Sequence, residues 1–289
     1  MVYVQIHAGL GNQLFQFHFG ELLSSWGLRV KYTWEYPEMS GRQYKLNEIG
    51  YQLQRYPYGL LNFRRGTICR ILSLGRLTLG VIRDEDLENL SQRETISLLK
   101  SGDFLLKGYW AFGMKYSSCV LLPKPQYKFN HIVDEEIDKV ITLIKNTNSI
   151  FLHVRSGDYL SAKNIAVFSH LDDNYYYRAI DLLNKKTSNP VFFIFTDEPL
   201  RTNSRSFVKP DMFIVSNIIK SDVLEFYLMM LCKHSVCANS TFSYWAAAFN
   251  ITEKKIVIQP TKWFNDSEMQ KKHLQMQNLK VKSYNTILI

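Results

Sequence analysis

The chain has 289 residues, of which 46% are hydrophobic and 21% charged, which excludes a disordered or low-complexity protein and gives length for two domains. With 35 Lys and Arg against 26 Asp and Glu, the net charge of +9 favours nucleic acids, anionic membranes or phosphorylated ligands as partners. No stretch approaches the roughly 20 apolar residues of a bilayer span, and Met1 leads straight into a strand pattern without a basic leader.

The four cysteines, Cys69, Cys119, Cys232 and Cys237, match no common zinc spacing. Cys232 and Cys237 read as buried free thiols, and this usage fits a reducing cytoplasm. Nothing resembles a recognition helix, an RNA-binding motif or a zinc finger, so no nucleic-acid partner is expected.

The first element is a strand over Val2–Ile6. The stretch "HAGLGNQLFQF" follows, and Leu14, Phe17, Leu22 and Trp26 then recur at helical spacing. This is a strand, a tight glycine turn and a helix start with Asn12 as its N-cap. Such a turn gathers free N–H groups where a phosphate or sugar oxygen can sit. Leu14 stands where the dinucleotide fingerprint needs a small residue, and no Lys follows to make a P-loop. A merely structural strand-to-helix turn is the other reading.

Further strands are expected over Leu28–Tyr32 and Phe104–Gly108. Between them, "LLNFRRGTICRILSLGRLTLGVIR" (residues 60–83) alternates Arg64, Arg65, Arg70, Arg76 and Arg83 with apolar residues and contains no acid. It reads either as a helical hairpin with solvated arginines or as an interfacial segment on anionic lipid. Two prolines in residues 121–130 mark a domain boundary, dividing the chain into 1–128 and 129–289.

Beyond the boundary, short apolar strands alternate with amphipathic helices: a helix over Val133–Lys145, "SIFLHV", a helix around "NYYYRAIDLLNKK", "VFFIF", "MFIV", the helix "SDVLEFYLMMLCKH", "SVCA", the helix "STFSYWAAAF" and "KIVIQ". That order predicts an α/β domain with a parallel sheet covered on both faces. Ligands in such sheets bind beyond the carboxyl ends of the strands. The polar residues fall there: His153, Arg155 and Asp158 after one strand, Thr196, Asp197 and Glu198 after another, Asn239, Ser240 and Thr241 after a third.

Each motif carries two readings. "NSTF" offers a helix N-terminus whose N–H groups and dipole can hold a diphosphate, or an ordinary N-cap by Asn239 or Ser240. Arg155 can make bidentate bonds to phosphate, or can pair with an acid such as Asp158. His153 can be a core histidine. Asp222 can be a first-turn helix acid, or its carboxylate can accept from the N1–H and amino group of guanine, with Glu225 as competitor. No Asp-x-Asp pair or metal-ligand cluster stands out. The nearest, "LDD" at Leu171–Asp173, suits Asp173 as the N-cap of the next helix.

Taken in order, "GLGNQLFQ", "HVRSGDY", "FTDE", "DVLEFYLMMLCKHSVCANSTFSYW" and "WFND" resemble the bacterial α-1,2-fucosyltransferase family, glycosyltransferase family 11. "GYWAFGMKY" and "DDNYYYRAI" resemble its intermediate segments. The resemblance implies a GT-B-like fold of two Rossmann-type domains facing a central cleft, with an N-terminal acceptor-side domain and a C-terminal GDP-sugar-binding domain. It further implies GDP-fucose as co-substrate, inversion at the anomeric carbon, no cofactor and no required metal.

Carried over by position, Arg155 would hold the β-phosphate, His153 and Asp222 the guanine, and Ser240, Thr241 and Phe242, beside Asn239, the diphosphate. Asp197 would reach the ribose, while Gly9, Gly11, Asn12 and Gln13 would close over the donor. Asp158 is the candidate base. One departure stands out: the family usually shows a second arginine where Ser156 stands.

The implied activity is transfer of L-fucose to the 2-hydroxyl of a galactose-terminated or lipid-linked acceptor in surface-polysaccharide assembly, at the inner face of the plasma membrane. A family member with another GDP-sugar or acceptor, or a sugar-nucleotide-binding protein without turnover, are the alternatives.

Overall fold

The computed structural model describes residues 1–35, 42–65, 79–116, 122–126, 135–155, 157, 166–277 and 285–289. It divides into two compact units, Met1–Lys124 and Pro125–Ile289, each built on its own parallel sheet.

In the N-terminal unit, β1 (Val2–Gln5) leads into α1 (Leu10–Ser25) and β2 (Val30–Thr33). After α2 (Tyr58–Arg65), β3 (Gly80–Ile82) is followed by α3 (Asp84–Leu87), α4 (Gln92–Lys100) and β4 (Phe104–Leu106). The strands lie in the order β2-β1-β4-β3, all parallel, with Val2 opposite both Val30 and Phe104. Parallel strands need crossovers, and α1 is one. It buries Leu14, Phe17, Phe19, Leu22 and Leu23.

Two expectations change here. The N-cap of α1 is Gly9 with no side-chain cap, so Asn12 lies inside the first turn. The strand expected to reach Gly108 stops at Leu106, because the chain turns into a loop held from outside the sheet. β3 comes from the arginine-rich segment. Three residues are too few to show a period, and residues 66–78, with Arg70 and Arg76, lie outside the described residues.

In the C-terminal unit, α5 (Glu135–Asn146), β5 (Asn148–Val154), α6 (Asp173–Lys186), β6 (Pro190–Thr196), α7 (Pro199–Asn203) and β7 (Phe213–Ile214) are followed by α8 (Asp222–Leu231), β8 (His234–Val236), α9 (Thr241–Phe249), β9 (Ile256–Gln259), α10 (Ser267–Gln277) and β10 (Asn285–Leu288). The six strands run β10-β9-β8-β5-β6-β7, again all parallel. The central strand β5 and its neighbour β6 read as continuous apolar runs because both faces are covered. Ile150, Leu152 and Ile194 pack with Tyr176, Ile180 and Leu183 of α6, and Phe151, Phe193 and Phe195 are fully buried.

Asp172 caps α6 by accepting from Tyr175 N at 3.0 Å, leaving Asp173 free to bind Arg205 at 2.6 Å. The cap therefore falls one residue before the position expected. Cys232 and Cys237 are buried free thiols, and burial raises both, Cys237 to about 12.

Candidate active site

Polar groups collect at the carboxyl edge of the C-terminal sheet because β5 and β6 are apolar almost to their last residues. Just beyond them the chain can expose charge. His153, the last residue but one of β5, is 5% exposed, and its ring lies 5.8 Å from that of Phe242. Its backbone carbonyl accepts from the Tyr176 hydroxyl at 3.2 Å. Burial, aided by the Arg155 charge, lowers its pKa to about 3, so the ring is neutral at ordinary pH. Its Nδ1 has no hydrogen-bond partner among the described residues. A buried, unpartnered ring nitrogen is costly unless something else completes it.

Arg155 emerges from the end of β5 and pairs with Asp197, Nε to Oδ2 at 3.7 Å. The side chains are 19% and 30% exposed, so this long contact contributes less than about 1 kcal/mol. It orients the guanidinium at the strand end. Asp197 Oδ2 also accepts from Gly157 N at 3.1 Å. A Cβ at Gly157 would come within 3.1 Å of that oxygen and 3.3 Å of Glu198 Oε1, so glycine lets the turn approach both acids. Any reach of Asp197 to a ribose must compete with these contacts. Ser156 and Asp158 lie outside the described residues.

The N-terminus of α9 points at the same edge. Ser240 is its N-cap, accepting from Phe242 N at 3.3 Å, and Thr241 and Phe242 are half-buried. Asn239 is different. Its side-chain N–H₂ donates to Ser169 O at 2.7 Å and to Trp263 O at 3.1 Å, and the residue is buried. Both of its N–H donors are spent on tying the β8–α9 turn to two loops.

Two acids open α8. Asp222 is half-exposed at the first helical position, behind the Ser221 cap. Glu225, one turn on, is carried by burial to about pKa 7, with Asp222 and Asp197 adding to the rise and the Ser216 hydroxyl and Lys220 opposing it. Ser216 Oγ also accepts from Thr196 N at 2.8 Å, which anchors this acid to the end of β6. Ser216 had no signal in the sequence, being one hydroxyl in a short connection after a two-residue strand.

The glycine motif belongs to the N-terminal unit. Gly9 has φ −70°, ordinary for any residue, and a Cβ there would make ordinary contact with the Arg42 side chain, Nη1 at 3.6 Å and Cδ at 3.9 Å. The left-handed residue is Ala8, at φ 65°. Gly11 and Asn12 lie in the first turn of α1. Gln13 is fully buried, its Nε2 donating to Ala8 O and Gln43 O, both at 2.8 Å, and its Oε1 accepting from Lys45 N at 2.9 Å. That amide clamps two loops of its own unit and has no donor left for a ligand.

A neutral buried imidazole, an arginine and a capped helix N-terminus lie at one parallel-sheet edge, the edge at which α/β sheets commonly bind ligands. The chain belongs to glycosyl transferase family 11, whose model matches residues 101–283, and it is a glycosyltransferase. It is 28% identical over 284 residues to an alpha-1,2-colitosyltransferase of Escherichia coli, covering 93% of this chain and 94% of that one. It is 32% identical over 124 residues to the O-antigen biosynthesis glycosyltransferase WbnK of Escherichia coli, 42% of this chain but only 41% of that protein. Among solved structures it is similar to fucosyltransferase NodZ from Bradyrhizobium, with 12% identity and a TM-score of 0.42 over 85% of this chain and 91% of that one.

Proposed function

We propose that this glycosyltransferase transfers L-fucose from GDP-fucose, with inversion, to the 2-hydroxyl of a galactoside during O-antigen-type polysaccharide assembly. The observation that carries the donor half is the convergence of Arg155, His153 and the α9 N-terminus on one edge. As the glycosidic bond breaks, negative charge grows on the leaving diphosphate. A preformed donor aimed at that charge lowers the barrier by about 3 kcal/mol. Arg155 supplies its guanidinium and α9 the positive end of its dipole. His153 offers its unpartnered nitrogen to the base.

Of the two α8 acids, Glu225 suits guanine better than Asp222. It is anchored to β6 through Ser216, while Asp222 sits half-exposed at the helix start. Asp158 remains the proposed base. Contact of residues 60–83 with anionic lipid is also part of the proposal; among the described residues no helix is long and apolar enough to cross a membrane. Cosedimentation with phosphatidylglycerol vesicles tests it.

A second reading keeps the fold of the reaction and changes the sugar. The alpha-1,2-colitosyltransferase aligns over nearly the whole chain, and Ser156 removes an arginine usual in the family, so a GDP-linked sugar other than fucose is the specific rival. Incubation with GDP-fucose and methyl β-galactoside, followed by mass and NMR linkage analysis, separates them. A fucosyl-1,2-galactoside product supports the first reading. GDP binding without fucosyl transfer to any galactoside removes it.

A further inference from the structure

At the carboxyl edge of the N-terminal sheet, three neighbouring strands deliver residues to one place. β1 runs on to His7, β4 to Tyr109 and β3 to Asp84. Asp84 accepts from the backbone N–H groups of Tyr109 and Trp110, each at 2.8 Å. A side chain at Gly108 would overlap that carboxylate, so only glycine permits the closure.

The loop is strained and heavily restrained. Trp110, at φ 60°, and Ala8, at φ 65°, are both left-handed without being glycines. Such residues persist where their surroundings over-determine them, and they cluster at functional sites. Here Trp110 is fully buried and stacked on Phe19 at 5.0 Å. Gln16 accepts from His7 N at 2.9 Å and donates to Gly108 O at 3.1 Å, joining the two strand ends.

What this apparatus displays is a single ring. Tyr109 is 51% exposed, although the backbone on either side of it is pinned. The His7 ring lies 5.4 Å away, and its N–H donates to the Gly108 carbonyl, which leaves the other ring nitrogen as an acceptor. Burial lowers the His7 pKa and keeps it neutral in that role, with Lys107 acting in the same sense and Glu35 against it. Glu35, two residues beyond β2, thus brings a carboxylate within electrostatic reach of the same imidazole.

A pyranose has an apolar C–H face and a rim of hydroxyl donors. A rigid, exposed aromatic face beside a neutral imidazole acceptor matches both. We propose that Tyr109 and His7 form a monosaccharide-binding subsite on the N-terminal unit, with Tyr109 stacking on the sugar and His7 accepting from one of its hydroxyls. The subsite suits an acceptor glycoside and does not depend on which sugar is transferred.

Saturation-transfer NMR on the full chain tests this, with the methyl β-glycosides of galactose, glucose and N-acetylglucosamine as probes. The wild type should saturate the C–H protons of at least one probe. Tyr109→Phe should retain the effect, and Tyr109→Ala should reduce it at least fivefold while leaving the GDP titration of the same sample unchanged. Equal saturation by Tyr109→Ala overturns the subsite, and so does a wild type that saturates none of the three. Failure of GDP to bind the wild type counts against the donor-site reading alone, because the glycoside signals are read separately.

Discussion

The two parallel sheets end in edges of the same kind, yet they use polar side chains in opposite ways. In the N-terminal unit the amides of the signature motif are consumed internally: Gln13 makes three bonds to backbone and Gln16 makes two. In the C-terminal unit the corresponding edge keeps groups incompletely satisfied. His153 Nδ1 is buried without a partner among the described residues, Arg155 pairs with Asp197 at 3.7 Å, and Glu225 is raised by burial to a pKa of about 7. Saturated polar groups rigidify a fold, while unsatisfied ones hold binding free energy for a ligand. A signature motif can therefore mark a clamp as readily as a contact.

The strongest way to break this contrast is Arg155→Ala. Losing this charged donor should lower transfer by about a hundredfold or more with the fold intact, as checked by turnover and circular dichroism. Arg155→Lys should recover little of it, because the fork is lost. Transfer by the alanine variant within tenfold of wild type would place the charge stabilisation elsewhere.

Gln13→Ala probes the other side. It removes the bonds to Ala8 O, Gln43 O and Lys45 N, so urea unfolding should show a loss of about 1–3 kcal/mol, with GDP affinity of the folded protein unchanged. Weaker GDP binding at unchanged stability would instead return the glutamine to the donor site.

The Glu225 carboxyl gives a pH signature. Its pKa near 7 lies above the ordinary value, so it is mostly protonated at pH 6 and mostly ionised at pH 8. If the ionised form accepts from guanine, GDP affinity should rise by about tenfold over that window and be lost as pH falls through 7. Glu225→Gln should flatten the profile. Asp222→Asn should leave the slope in place, and a profile flattened only by the latter would assign the base to Asp222. The smallest effect is expected from excess EDTA, which should leave turnover unchanged. Loss restored by magnesium or manganese would mean that a metal shares the work given to Arg155.

How much of this was legible differs element by element. The alternation of apolar strands and amphipathic helices after residue 135 located β5, β6, α8 and α9 to within a few residues, because both faces of a buried parallel sheet leave a strong imprint. His153, Arg155 and the Ser240 cap stood out because chemistry-bearing residues directly follow those strands. The two residues of β7 fall inside the run "MFIV", whereas β3, three residues at the end of the arginine-rich stretch, is too brief to show a period, and β10 carried no signal that was read.

The sequence by itself determined the α/β class, the parallel C-terminal sheet and the edge at which charge would gather, since hydrophobic period and strand-end polarity are local properties of the chain. Which of those polar residues are spent and which are left over was decided only by the tertiary structure. Only the structure shows the N–H donors of Asn239 and Gln13 directed to the carbonyls of Ser169, Trp263 and Gln43. Tyr109 reads as one more aromatic until Asp84, 25 residues earlier, is seen to fix its backbone. Hydrogen-bond saturation depends on partners distant along the chain, and distance along the chain is what folding removes.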